Sequence, residues 1–159
     1  MARMTTLHIA KEAHKFSAAH FTIFSATERE RLHGHNYAVS ARIMAPMGPN
    51  GFSADYNVYK RRIRDFCARH DEYMLLPDAS PFLKVSQDGD DYVALFNGRS
   101  LRFPVDETLL LPMVNVTVEE LAHYCLQDIV AASADETLAE VEIFVSSGSG
   151  QAGSAIWTA

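Results

Sequence analysis

Leu32-His33-Gly34-His35-Asn36-Tyr37 decides the reading of this chain, together with Phe16-Ser17-Ala18-Ala19-His20 upstream of it. On a β-strand, side chains two apart leave the same face, about 6.6 Å apart along the backbone, so His33 and His35 converge while Gly34 keeps the opposite face clear. His20 adds a third imidazole if its strand pairs with that of the histidine pair. Three neutral nitrogens around Zn2+ leave a fourth position for water, which marks a catalytic site; structural zinc sites close with four protein ligands and favour cysteine. Taken alone, a His-x-His pair is more simply read as surface or hydrogen-bonded strand histidines, so the surrounding residues carry the decision.

Outward from this segment, a first strand is expected from about Thr6 to His20, with His14, Phe16, Ala18 and His20 on one face by period two. His14 then lies near the metal or, more simply, faces a neighbour or solvent. The second strand continues through Val39, Ala41 and Ile43 to the turn Pro46-Met47-Gly48-Pro49-Asn50-Gly51, and the two strands form an antiparallel hairpin. From Asp55 to about His70 the period becomes helical, with Val58, Ile63, Phe66 and Cys67 as an apolar stripe beside a solvated basic face of Lys60, Arg61, Arg62 and Arg64. Short strands are expected at Phe82 to Ser86, Tyr92 to Phe96 and Ser100 to Phe103, the last two joined by an Asn97-Gly98 turn. Thr117 opens a second helix as a capping box with Glu120, buries Leu121, Cys125, Ile129 and Val130, and the helix ends near Ser133. A last strand, Leu138 to Val145, leads into a short Ala155-Ile156-Trp157 terminus.

The composition narrows the function class. A chain of 159 residues is one domain of ordinary size, residues 1–159, with core enough to need no staples. Its formal net charge of −6, with both signs interspersed, gives no electrostatic footprint for nucleic acid. Neither a bilayer-spanning apolar run nor a secretory leader is recognisable, so no membrane role and a cytoplasmic location are expected. Cys67 and Cys125 are too few for a disulfide framework and read as buried free thiols.

The motifs FSAAH and LHGHNYAVSARI resemble the 6-pyruvoyl tetrahydropterin synthase and 6-carboxytetrahydropterin synthase family. Gly51 to Cys67, Leu75-Leu76-Pro77 (the family's loop) and Leu111-Pro112 through Asn115-Val116-Thr117-Val118-Glu119 extend the resemblance over nearly the whole chain. It implies that His20, His33 and His35 hold Zn2+. It implies an α+β tunnelling fold, an antiparallel sheet with two helices on one face and a β-hairpin region inserted between the helices. It also implies a homo-oligomer, a trimer or dimer of trimers, whose sites lie between subunits, and a lyase reaction on a small molecule, a pterin or similar compound. Asn115, Thr117 and Glu119 keep the family's pattern for lining the substrate pocket, although capping alone is enough to explain Thr117.

Three departures stand out against that resemblance. The family's usual catalytic cysteine falls at Arg29, and one branch instead places a glutamate three residues before the first histidine, where Glu30 stands. Glu30 is a general base or else a loop acid paired with Arg29 or Arg31; Glu28 is a weaker candidate for the base. The family's Asp-His pair falls on Asp71-Glu72, two acids without the imidazole's titration near neutrality, unless the alignment shifts to bring His70 into that place. The strand-end glutamate that binds the pterin edge is missing from Phe144-Val145-Ser146-Ser147-Gly148, which leaves open a non-pterin substrate or a non-catalytic, ligand-binding role.

Overall fold

The computed structural model describes residues 2–134 and 136–159. In chain order the elements are β1 Met4–Ile9, β2 Lys15–His20, β3 His33–Pro46, α1 Tyr56–His70, β4 Tyr73–Pro77, β5 Lys84–Asp88, β6 Asp91–Phe96, β7 Arg99–Pro104, β8 Thr108–Leu111, α2 Val118–Ala131, β9 Glu140–Gly148 and β10 Gln151–Thr158. Seven strands form the main sheet in the order β10-β9-β3-β2-β4-β8, with β1 also paired to β3. Both helices pack on one face of it, and β5-β6-β7 form a separate three-stranded sheet between them in sequence. Among the described residues no helix is long and apolar enough to cross a membrane.

The strand expected over Thr6 to His20 is two strands. β1 and β2 lie along the same edge of β3, where Ile9 faces Ala41 and Lys15 faces Ala38, so five residues, 10–14, oppose only Val39 and Ser40. The surplus folds into a turn in which the His14 amide donates to Lys11 O and the Val39 amide donates to His14 O. Three extra residues on one strand reverse its inward parity: Leu7 and Ile9 point in on β1, but His14, Phe16, Ala18 and His20 point in beyond it. The break thus lets both halves bury their apolar residues.

On the helix side, Phe16, Tyr37, Val39, Ala41, Ile43, Val141, Ile143 and Val145 meet Tyr59, Ile63, Phe66 and Cys67 of α1 and Leu121, Cys125, Leu126 and Ile129 of α2. Each large aliphatic side chain buried here contributes roughly 1.5–3 kcal/mol. Tyr59 takes the buried position anticipated for Val58, and its hydroxyl donates to Glu136, which also pairs with Arg62 at 2.8 Å. Arg62 therefore leaves the solvated basic face.

Leu75-Leu76-Pro77, expected as a loop, is the end of β4. The strand pairs in parallel with β2 at Ala18 and Ala19 and with β8 from Thr108 to Leu111. It is covered on both sides, Leu75 by the helix-side core and Met74 and Leu76 by a second core with Phe21, Ile23, Leu83, Ala94 and Phe96. A strand buried on both faces shows no alternation, which is why its apolar run carried no strand signal. The short terminus expected at Ala155-Ile156-Trp157 is likewise a full strand, β10, hairpinned onto β9. A Cβ on Gly153 of β10 would stand 2.9 Å from Glu119 N and Val118 C, so the bare backbone lets the start of α2 pack directly on the sheet.

Candidate metal centre

Strand register builds the centre. β2 and β3 are antiparallel with His20 opposite His33 and Ala18 opposite His35, so all three imidazoles leave one face of the sheet. Their ring centroids are 4.7, 5.1 and 4.8 Å apart, and one ligand nitrogen from each lies within 4.8 Å of the others. A Cβ on Gly34 would approach Ala18 O to 3.2 Å, so the glycine between the histidines also allows the two strands to sit close.

The tautomers suit a cation. His20 Nδ1 lies 2.8 Å from Val116 O and His33 Nδ1 lies 2.7 Å from Arg31 O; a carbonyl accepts only, so each Nδ1 carries the proton and each Nε2 presents a lone pair. His20 Nε2 is buried without a partner, and His33 and His35 bring their Nε2 atoms to 3.1 Å of one another. Burial pushes the His20 imidazole below its ordinary pKa against the pull of the Val116 carbonyl, favouring the neutral form that binds metals. A buried nitrogen left without a partner is costly in a folded chain, and a bound ion relieves that cost. The donor set fits a tetrahedral zinc site with one position left open.

Glu30 arrives from the connection between β2 and β3. That segment folds on itself: Glu30 N donates to Thr22 O at 2.8 Å, Thr22 N donates to Glu30 Oε2 at 3.0 Å, and Ile23 bridges Arg29. Glu30 Oε2 then stands 3.8 Å from His33 Nε2. Arg29 turns away, its guanidinium 4.6 Å from the Phe21 ring centroid and its Nη1 donating to Glu30 O. Among the described residues neither Arg29 nor Arg31 forms an ion pair with the Glu30 carboxylate. Burial by itself would raise that carboxyl, but the hydrogen bonds from Thr22 outweigh it and hold it below the ordinary glutamate value, with His33 and His20 adding to the pull whenever they are protonated.

A cavity of about 360 Å3 joins these groups, lined by His20, His33 and His35 with Glu30, Thr22, Tyr37, Thr117, Val118, Glu119, Ser147 and Gln151. Thr117 both lines it and caps α2, its hydroxyl accepting from Glu120 N at 3.3 Å. Glu119 lies in the first turn of α2, where the helix end favours a carboxylate. Asn115 does not line the cavity: its Oδ1 accepts from Ile23 N and its Nδ2 donates to Ile23 O, pinning the Glu30 segment. Tyr37, Thr22 and Gln151 had drawn no functional reading from the sequence. For Tyr37 a signal existed, since 33, 35 and 37 share one strand face. Its hydroxyl is buried without a partner, and burial pushes its pKa up.

Asp71 and Glu72 lie elsewhere. Asp71 Oδ1 accepts from Ser17 N at 2.8 Å, and Glu72, in the left-handed region at φ 65°, donates its amide to Ser17 O. Glu72 lines a different cavity, of about 490 Å3, with Ala19, Asn36, Met74 and Phe103, which shares His35 and no other residue with the histidine cavity. His70 is buried among Phe16, Phe66 and Tyr124, its Nδ1 2.7 Å from Phe66 O, and lines neither cavity. His14 is buried beyond the other end of β2 and is not among the three clustered histidines.

Known proteins share this architecture. The chain superposes on the crystal structure of 6-pyruvoyl tetrahydropterin synthase from Plasmodium vivax with a TM-score of 0.92 at 24% identity, covering 99% of both chains. The Plasmodium falciparum enzyme gives 0.91 at 23% identity, covering 98% of this chain and 99% of that one. A variant of the P. vivax enzyme, described as having a catalytic glutamate replaced by alanine, gives 0.90 at 23% identity, covering 99% of both chains. A Methanocaldococcus jannaschii protein provisionally named 6-carboxy-5,6,7,8-tetrahydropterin synthase is 25% identical over 116 residues, 72% of this chain and 71% of its own length. The family model described as 6-pyruvoyl tetrahydropterin synthase matches residues 8–151, and the chain belongs to that family.

Proposed function

We propose that the protein is a zinc-dependent lyase acting on a dihydropterin such as 7,8-dihydroneopterin triphosphate, with His20, His33 and His35 as the zinc ligands and Glu30 as the general base. The observation that carries this reading is the Glu30 carboxylate oxygen 3.8 Å from His33 Nε2, inside the cavity the three histidines share. Zinc bound there supplies Lewis-acid polarisation of substrate oxygens, which acidifies a neighbouring carbon-bound proton. Glu30, ionised at neutral pH and fixed by the Thr22 amide, receives that proton on its carboxylate. The P. vivax relative, in which a glutamate is named as a catalytic residue, supports the assignment.

Substrate recognition needs a carboxylate to accept paired hydrogen bonds from the pterin's amino-pyrimidine edge. Ser147 offers only a hydroxyl, and Glu119 in the same cavity is the acid we assign to that task. Thr117 and Ser147 add neutral hydrogen-bonding groups beside it. Asp71 lines neither cavity and Glu72 lines one that shares only His35 with the histidine cavity, so we assign Asp71 and Glu72 a part in proton transfer only within a homo-oligomer, a trimer or dimer of trimers, that would bring them to a neighbouring copy's site.

Turnover of 7,8-dihydroneopterin triphosphate by the zinc-loaded protein and by Glu30→Gln tests this. The substitution is expected to lower kcat by about 10^2 to 10^4 with zinc retained. Unchanged kcat removes Glu30 as the base, and no turnover by the unaltered protein removes this substrate.

A further inference from the structure

The basic run of α1 and the buried His14 meet at a crevice that the lyase reading leaves unused. It has a volume of about 440 Å3 and is lined by His14, Asp55, Asn57, Lys60, Arg61 and Arg64. His14 belongs to the turn that breaks the first strand, and the other five residues are the cap Asp55 and residues 57 to 64 on one side of α1. Along β2 this lies six residues from His20, about 20 Å by strand rise, so it is separate from the metal centre.

Three features mark it as a ligand site. His14 is only 4% exposed, yet its Nδ1 is buried without a hydrogen-bond partner, a cost that a folded chain normally avoids. Three cations line the crevice against one carboxylate, Asp55, whose Oδ1 already accepts from Asn57 N at 2.9 Å. Among the described residues neither Lys60 nor Arg61 forms an ion pair, whereas Arg64 pairs with Asp65 at 3.2 Å. Lys60 Nζ instead rests 4.7 Å from the Tyr56 ring centroid. Burial and the charges of Lys11, Lys60 and Arg64 push His14 below its ordinary pKa against the opposing pull of a hydrogen bond between its ring and the Lys60 backbone, so it is the Nδ1 alone that is left without a partner. The local field is therefore positive at a crevice that opens beside the amino end of a fifteen-residue helix.

We propose that this crevice is a second binding site, for a phosphate-class oxyanion held by His14, Lys60, Arg61 and Arg64. A dianion matches the surplus of cations over the single carboxylate. Guanidinium forks and an ammonium reach several of its oxygens at once, and the imidazole, protonated as the anion binds, supplies a further donor. Inorganic phosphate and the phosphate group of a larger metabolite share this chemistry. The site neither depends on zinc nor involves any residue of the histidine cavity.

The test is a titration of the full-length protein with inorganic phosphate, and in parallel with glycerol phosphate, at ionic strength held constant with chloride, following the imidazole resonances of all the histidines by NMR. Saturable movement of the His14 resonances, with an upward shift of its titration, is expected. Tighter binding of inorganic phosphate identifies the free ion as the ligand; tighter binding of the ester identifies a phosphorylated molecule. Lys60→Ala/Arg61→Ala leaves the buried residues of α1 unchanged and is expected to weaken the binding by about tenfold or more. The proposal is overturned if His14 does not respond, if only His20, His33 and His35 respond, or if the double variant binds phosphate as tightly as the unaltered protein.

Discussion

Glu30 Oε2 stands 3.8 Å from His33 Nε2, and the same oxygen accepts the amide of Thr22 at 3.0 Å. The carboxylate is thus tied to the backbone on one side and faces the edge of the histidine cluster on the other. A loop acid with no partner but solvent would sample many rotamers; this one is held at the edge of the histidine cavity, as the proposed base needs to be.

Tyr37 buries a hydroxyl that finds no partner, beside His20 and His35. An unsatisfied buried polar group costs about 1–3 kcal/mol, so Tyr37→Phe is expected to leave the ligand-free protein as stable or more stable by up to about that amount. Urea unfolding checks it. A loss of several kcal/mol would mean that the hydroxyl is bonded in the free protein.

Gly153→Ala is expected to destabilise by roughly 1–3 kcal/mol, because its Cβ meets the backbone of Val118 and Glu119 and not a flexible side chain. The same strain displaces the start of α2, which carries Thr117 and Glu119. Thermal unfolding and KM measured on the same variant should therefore both move, KM upward.

His14 and His70 are buried with their pKa values pushed below 6.5, chiefly by burial. The unfolded chain binds protons on both residues at a higher pH than the folded chain does. Stability is then full above pH 6.5 and falls as the pH drops from there toward the folded values. Denaturant unfolding between pH 8 and 5 should show that decline, and His70→Gln, if folded, should make it shallower. Stability that stays flat through this range would contradict the burial of both rings as neutral groups.

The histidine cluster was legible because its geometry is local. Two strand residues at i and i+2 share a face whatever the rest of the chain does, and the FSAAH segment needed only antiparallel pairing, which places His20 opposite His33. Both helices were legible from their periods and from Asp55 and Thr117, whose side chains cap them. What escaped was fixed by distant partners. β4 carries no alternation because cores cover both its faces, and its neighbours β2 and β8 are parallel strands far away in sequence. Asn115 keeps the motif's spacing, but its amide is engaged by Ile23, 92 residues away. Gln151 reaches the cavity only because the chain turns at Gly148 and returns as β10.

Metal content tests the centre most directly. The purified protein, loaded with zinc and dialysed, is expected to retain one equivalent per chain, and His33→Ala and His35→Ala are each expected to fall well below that while remaining folded by circular dichroism. Full retention of zinc by both variants would show that the three histidines do not hold the ion.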